Sequence, residues 1–511
     1  QGTPAAQELA RMGQLMKQWD PTRPIYYESD GDPGGVADAI GLHYPHEYPA
    51  YTQWPNTAYW MDQPLLNKFF APTDEAAKSW VWDRTKPVYI GEFLWIPSSD
   101  PSWDTVFYGD EAYLDYHRYH VQAKADSWRM AIQAYRHYEV GGISPWTMVE
   151  GGTLDDNNAM YVAQQYAMQH VAAYVREYDH CFYSGEKVTR TSDVYNDILE
   201  SSRLTVQWAL VDAAGRGVGE AGRYAAETTL DMQPGERKEI TFTVPLPPVT
   251  ERRQVALRLR IEREGKVVFE DTKPWSVFPP LKLQATVPVG LYDPAGKLNP
   301  KLQRAGLATE SVANLGRVPP GVKLLIVAPG ALQQVERKPP RIGEKREGSG
   351  RLLDYVRGGG RVLVLEQTDY PPGVMPAALS EHASTMTFPQ VPNHPLLRGV
   401  RPDDLKWWRP DNLVSMAEIV RPTQGGARAI VVSGSRKVLA GVRPGKSALF
   451  VNTAEVQPGD FTRSADFSLP AERLKRSIRE HAGEDGVTFL DATRLATTTL
   501  GNAIAANMIM L

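Results

Sequence analysis

The run KPVYIGEFLWIPSS, Lys86 to Ser99, sets a carboxylate, Glu92, directly behind the short apolar stretch Val88-Tyr89-Ile90 and a glycine, and Phe93 and Trp95 follow. An acid that closes a buried strand among aromatic rings has the makings of a nucleophile or a proton donor. Two other stretches end in similar company. Leu42-His43-Tyr44 brings an imidazole and a phenol to a strand end, and Gly141 to Trp146 brings an indole. A phenol hydrogen-bonds a carboxylate and holds it ionised. An indole face stacks on the apolar face of a sugar ring and can floor a pocket. Taken alone, Glu92 also fits a plainer role, as a solvated loop acid or a helix N-cap.

These ends converge only if their strands lie side by side. Ala5 to Trp19 has helical periodicity and stops at Asp20-Pro21. Pro24 to Tyr27, Ala37 to His43, Val88 to Gly91 and Val140 to Trp146 read as strands, with a long helix pattern over Ala112 to Tyr138. Parallel strands joined by helices, with polar residues at the strand C-termini, predict a β/α barrel. Only about four units fit before residue 180, against ~250 residues for a whole barrel, so half of one is expected. From 181 to 280 the pattern changes to alternation. Leu204 to Leu210, Glu239 to Val244, Val255 to Ile261 and Val267 to Phe269 predict an immunoglobulin-like β-sandwich, with turns at Asp212 to Gly215 and at Gly265. From 281 onward Val287 to Tyr292, Lys323 to Ala328 and Arg361 to Leu365 read as apolar strands of an open parallel sheet, with a helix at Leu352 to Arg357.

The totals narrow the chemistry. The chain has 511 residues and a net charge of −4, which gives no reason to expect nucleic acid or an acidic membrane surface as partner. No apolar run approaches membrane-spanning length. A single cysteine, Cys181, excludes an internal disulfide framework and any cysteine-rich metal or iron–sulfur site. Trp54, Trp60, Trp80, Trp82, Trp95, Trp103, Trp128 and Trp146 crowd the first segment, as a large core or a carbohydrate site would require.

The first segment resembles the second half of the catalytic barrel of glycoside hydrolase family 2, which includes β-galactosidases, β-glucuronidases and β-mannosidases. Asp20-Pro21-Thr22-Arg23-Pro24, Leu42-His43-Tyr44, Pro87 to Phe93, and Gly141-Gly142-Ile143-Ser144-Pro145-Trp146 carry the likeness, in the family's order and spacing. The resemblance implies a retaining exo-β-glycosidase acting on terminal β-linked sugars, with no cofactor and a carbohydrate as partner. By it, Glu92 is the nucleophile, Tyr44 orients it, and His43, Trp95, Trp146 and Glu150 line the sugar site. Trp95 stands where some relatives have a histidine, so sugar recognition departs from theirs. The family's acid/base follows an asparagine about one helix before Asp-Pro-x-Arg-Pro, and no Asn-Glu dipeptide occurs here. A chain truncated at both ends and inactive as it stands is therefore expected, with Glu28, Glu47 and Glu150 as candidate substitutes. Glu28 and Glu47 read better as substrate-side or structural polar groups. A non-catalytic carbohydrate-binding or assembly protein is one alternative, and a 2-oxoacid ferredoxin oxidoreductase fragment, on the strength of the tail alone, is another. The resemblance further implies a periplasmic or secreted protein and leaves oligomerisation open.

Residues 281–435 resemble a glutamine-amidotransferase-like domain, through LLDYVRGGGRVLVLEQTD and HPLLRGVRPDDLKWWRPDN. Such an enzyme needs a cysteine nucleophile, and Cys181 lies outside this segment, so a catalytically silent domain is expected. His394 reads as a turn or loop residue, and Trp407 and Trp408 as interface or core, with core the better fit. Residues 436–511 resemble part of indolepyruvate ferredoxin oxidoreductase, through Val451-Asn452-Thr453, Pro458-Gly459-Asp460 and Leu500 to Asn507. That class uses thiamine diphosphate and iron–sulfur clusters, which one cysteine cannot ligate. A chimaeric join near Ser433-Gly434-Ser435 is expected.

Overall fold

The computed structural model describes residues 3–28, 31–45, 54, 55, 58, 61, 82–93, 104–113, 115–149, 152–218, 225–334, 350–370, 375, 377–380, 383–420, 428–433, 448–454 and 471–500. The architecture is a mixture of α/β and all-β regions.

Helix α1 is Pro4–Trp19, with Thr3 as N-cap, its side chain accepting from the Ala6 N–H. Strands β1 (Ile40–His43), β2 (Val88–Phe93) and β3 (Gly142–Pro145) form a parallel sheet in the order β1-β2-β3, with α2 (Tyr116–His137) between the last two. The Pro24 to Tyr27 stretch makes only isolated bridges, Tyr26 with Ala39 in parallel and Tyr27 with Gly31. It extends the sheet by a contact rather than a full strand, because Pro24 offers no N–H to a ladder. The apolar side of β2, Val88, Ile90 and Phe93, shares one core with Trp128, Ile132 and Tyr135 of α2. The Phe93 and Tyr135 rings meet edge to face at 5.2 Å. Tyr89, on the alternate side of β2, is exposed. This curled sheet is therefore packed on one face and open on the other.

The next region is a two-layer β-structure. Strands β4 (Val171–Val175), β6 (Lys187–Asn196) and β9 (Glu236–Pro245) make one sheet, and β5 (Cys181–Tyr183), β11 (Lys266–Phe278), β10 (Arg253–Arg263), β7 (Ser202–Val211) and β8 (Ala225–Met232) make the other. Leu204, Val206, Leu210, Leu257, Leu259 and Ile261 alternate inward against Val194, Phe242 and Val244 of the facing sheet. Full burial of each such side chain stabilises by about 1.5–3 kcal/mol. The β10–β11 hairpin turns on Glu264 and Gly265, both at positive φ (53° and 75°), as a type I′ turn demands. This core takes in β4, ten residues before the boundary expected at 181. All five β4 residues are buried, and they pair antiparallel with Asn196 back to Ser192.

Farther on, β12 (Val289–Tyr292), β13 (Glu310–Ser311), β14 (Leu324–Val327) and β15 (Arg361–Val364) form a parallel sheet in the order β13-β12-β14-β15, the open sheet expected from the sequence. The segment after it leaves that sheet. Met386 and Phe388 enter the core shared by β2 and α2. Trp407 Nε1 donates to the Trp54 carbonyl at 3.0 Å, and Asn412 Oδ1 accepts from the Tyr178 N–H at 2.6 Å. The span 281–435 thus contains a strap docked on the first region. Trp408, expected in the core, is exposed, because its neighbour takes the inward position. In the tail, Leu449–Asn452 pairs in parallel with Val487–Leu490; of the expected join at Ser433-Gly434-Ser435, the last two residues lie outside the described residues.

Candidate active site

The three strands finish level with one another. His43 is in register with Glu92 and Phe93 with Pro145, after local shifts in both ladders. Past the ladder ends, the Tyr44 N–H donates to the Glu92 carbonyl at 2.9 Å, and the Trp146 N–H to the Phe93 carbonyl at 3.0 Å. Tyr44, Glu92 and Trp146 are consequently consecutive across one sheet edge. The entry to β2 is fixed from below by Lys86, whose Nζ reaches Asp32 Oδ2 at 2.6 Å and the Ala37 carbonyl at 2.7 Å.

The side chains at this edge are organised around one carboxylate oxygen. Tyr44 OH donates to Glu92 Oε2 at 2.8 Å, and His43 Nε2 lies 3.5 Å from the same atom. The other imidazole nitrogen, Nδ1, lies 2.6 Å from Glu28 Oε1, and Tyr26 OH donates to Glu28 Oε2. Burial, followed by the Glu28 carboxylate, pushes the Tyr26 phenol up, so it stays a proton donor. The His43 and Tyr44 rings meet edge to face at 4.6 Å. Among the described residues no hydrogen bond reaches Glu92 Oε1. The Glu92 side chain is one-third exposed. Tyr44 has φ 44°, a conformation that is uncommon outside glycine and costs of order 1–3 kcal/mol. It is held there from both ends by Glu92, through its own N–H and its hydroxyl. Trp146 is half exposed, and the Trp146–Thr147 peptide is cis.

The sequence-derived residues divide accordingly. Glu92, Tyr44 and His43 are in mutual contact, and Trp146 stands one strand away. Trp95, Glu150 and Glu47 lie outside the described residues. Glu28 is a neighbour of the site, with each oxygen taken by a partner. Sequence reasoning did not single out Tyr26 or Gly91; the spacing of Tyr26 and Glu28, two apart on one extended face, was the available signal. Among the described residues no group of three or more His, Cys, Asp or Glu could hold a metal ion, and no helix is long and apolar enough to cross a membrane. Cys181 lies on the sandwich beside Asp404, where burial and then the Asp404 charge push its thiol up to about 12. A thiol so suppressed makes a poor nucleophile. His394 caps a short 3₁₀ turn, its side chain accepting from the Leu396 N–H.

No protein-family model matches the chain, and no curated protein matches it. Among solved structures, a beta-D-mannosidase from Dictyoglomus thermophilum is 13% identical over 35% of this chain and 22% of its own, with a TM-score of 0.24. A beta-glucosidase from Listeria innocua in complex with glucose is 17% identical over 21% of this chain and 16% of its own, at 0.17. The CARDB domain of a Pyrococcus furiosus protein, in complex with di-metal ions, is 15% identical over 22% of this chain and 96% of its own, also at 0.17. The chain spans less than a quarter of either glycosidase.

Proposed function

We propose that the sheet edge at Glu92 is the nucleophile half of a retaining β-glycosidase site, on a half-barrel of β/α units. The observation that carries this reading is the pairing of Tyr44 OH with Glu92 Oε2 at 2.8 Å, with Trp146 at the next strand end. A phenol donor stabilises the ionised carboxylate, and only the ionised form attacks. With Oε2 engaged, Oε1 is the attacking atom. It forms a bond to the anomeric carbon of a terminal β-linked sugar, and the glycosidic oxygen leaves with the bonding pair. Trp146 supplies an apolar face on which one sugar ring rests.

Glycoside hydrolysis also requires a second carboxylate to protonate that oxygen and later activate water. An activated leaving group departs without the proton, so the nucleophile can be tested by itself. The full chain is incubated with the 2-deoxy-2-fluoro-β-D-galactosyl, -glucosyl and -mannosyl fluorides. The carbon–fluorine bond at the anomeric centre breaks, fluoride leaves with the electron pair, and Glu92 Oε1 acquires the sugar. The expected result is a mass increase of one fluorosugar, localised by peptide mass spectrometry to the peptide holding Glu92. A label on another carboxylate, or none with any of the three, overturns the reading. Retained binding of unlabelled sugar, unaffected by Glu92→Gln, would favour a carbohydrate-binding role in its place.

A further inference from the structure

The two carboxylates at this edge are joined by a single imidazole. His43 presents Nδ1 to Glu28 at 2.6 Å and Nε2 to Glu92 at 3.5 Å. Glu28 is 15 residues before His43, beyond the strand ladder, yet its head group is fixed from three directions. Tyr26 OH binds Oε2, His43 binds Oε1, and the backbone of Gly91 lies against the carboxylate. A Cβ on residue 91 would fall 2.1 Å and 2.3 Å from the two Glu28 oxygens and 2.5 Å from the carbon between them. Gly91 does not have a positive φ among the glycines that do. Its requirement is therefore space, and the group that takes the space is the Glu28 carboxylate. This explains why glycine directly precedes Glu92 in the sequence.

The hydrogen-bond chemistry then follows from the acceptors. An ionised carboxylate has no proton to give. Nδ1 must accordingly donate to Glu28, which leaves Nε2 facing Glu92 Oε2. If His43 carries a second proton, Nε2 donates toward Oε2, next to the Tyr44 hydroxyl. Without Glu28, nothing fixes which nitrogen carries the first proton, and the ring can turn about its χ2.

We propose that Glu28 is a positioning residue for Glu92, acting through His43. Its carboxylate accepts from Nδ1–H and fixes the plane of the imidazole beside Glu92, whose Oε2 the Tyr44 hydroxyl holds, leaving Oε1 as the attacking atom. Among the described residues the groups facing His43 are Glu28, Glu92 and Tyr44, with Tyr26 behind Glu28. This assignment rests on the glycosidase reading of Glu92 and adds to it a residue whose oxygens are both engaged by partners. A charge-assisted hydrogen bond of this kind, lost from a position that orients a reacting group, costs roughly 10- to 100-fold in rate.

The test uses the full chain with Glu28→Gln, Glu28→Ala and Gly91→Ala, the last moving the carboxylate without removing its charge. Two measurements are made. The first is the imidazole ¹H–¹⁵N spectrum of His43, assigned by comparison with His43→Gln, which reports the Nδ1–H bond independently of any activity. Wild type should show a downfield, slowly exchanging Nδ1–H resonance, lost in Glu28→Ala and shifted upfield in Glu28→Gln. The second is labelling by the 2-fluoroglycosyl fluorides, resolved into the rate at saturation and the half-saturating concentration. The rate at saturation should fall roughly 10- to 100-fold, with the half-saturating concentration within about twofold of wild type. An unchanged Nδ1–H resonance in Glu28→Ala overturns the proposal. So does a lost resonance with an unchanged labelling rate, which would make the Glu28 bond structural only. If wild type takes no label while the resonance behaves as expected, Glu28 still holds His43, and it is the glycosidase reading that fails.

Discussion

The sandwich and the parallel sheet beside it solve opposite problems with the same kind of strand. In the sandwich, each strand sends alternate side chains into a core closed on both sides by the two sheets, and its hairpins are sealed by local turns. In the parallel sheet only one side is closed, by α2, and the other side carries Tyr26, Tyr89, Gly91 and the Glu28 carboxylate. A closed layer maximises burial and leaves nothing to react. A layer open on one side, with its strand ends level, can hold polar atoms at fixed separations in reach of solvent. On the proposed reading, stability and chemistry fall to different regions, and substitutions in the two should part cleanly into those that change reaction and those that change melting.

The largest effect is expected at Glu92. Glu92→Gln keeps the shape of the side chain and its bond from Tyr44 but removes the proposed nucleophile. Labelling by the fluoroglycosyl fluorides should fall by at least about 10³-fold, while the melting temperature stays within about 2 °C of wild type. A fall in both would break the separation, by making the open face a structural element as well.

The reverse outcome is expected where the two regions join. Asp193 of β6 is almost wholly buried, with His137 Nδ1 at 2.8 Å, Arg237 at 2.7 Å and Arg176 at 3.5 Å. Burial alone would raise this carboxyl, but the His137 bond and the two guanidinium charges outweigh it and hold the group below the usual carboxylate range. Asp193→Asn strands those cations, and breaking a buried pair in this way costs about 3–5 kcal/mol. The linkage has a definite sign. A lowered carboxyl contributes stability that is complete above its ordinary pKa of about 3.9 and is lost as pH falls through the lowered value. Wild type should therefore lose stability below about pH 4, and the loss should be smaller in Asp193→Asn. Denaturant titrations at pH 7 and down to pH 2.5 measure both.

Inside the sandwich, Leu257 is fully buried on β10. Leu257→Ala should cost about 2–5 kcal/mol through lost burial and the cavity left behind. Calorimetry should show the melting transition of the sandwich shift down, with the labelling rate at 25 °C unchanged. A slowed rate below that transition would show that the two regions are coupled more tightly than their separate cores imply.

What the sequence disclosed follows the same division. Strands of the sandwich were legible because alternation is a local signal, and the Glu264-Gly265 hairpin because its turn chemistry is local too. Tyr44 beside Glu92 was legible as well, since both end strands that neighbour in a parallel sheet. β4 falls before the boundary expected at 181, because Val171-Ala172-Ala173-Tyr174-Val175 is apolar on both faces and its partner begins only after an intervening strand, β5. The Glu28–His43 bond and the docking of Trp407 on Trp54 were hidden for a different reason. Each joins residues through space across segments without periodicity, and hydrogen bonds of that kind leave no spacing in the chain.

The smallest test compares two glycines. At Gly91 the space a Cβ needs is filled by Glu28, whereas at Gly217, in the sandwich after the Asp212 to Gly215 turn, no atom of the described residues lies within 4 Å of that position and φ is not positive. Among the described residues, neither space nor backbone angle requires the glycine at 217. Alanine there should restrict only the unfolded chain, which stabilises by about 0.4–1 kcal/mol. Gly217→Ala should accordingly raise the midpoint of denaturant unfolding slightly with an unchanged slope. A lowered midpoint would mean that the edge of the sandwich needs this glycine for a contact beyond those around Val211 and Gly217, and the division between a closed, tolerant layer and an open, exacting one would have to be redrawn at that strand.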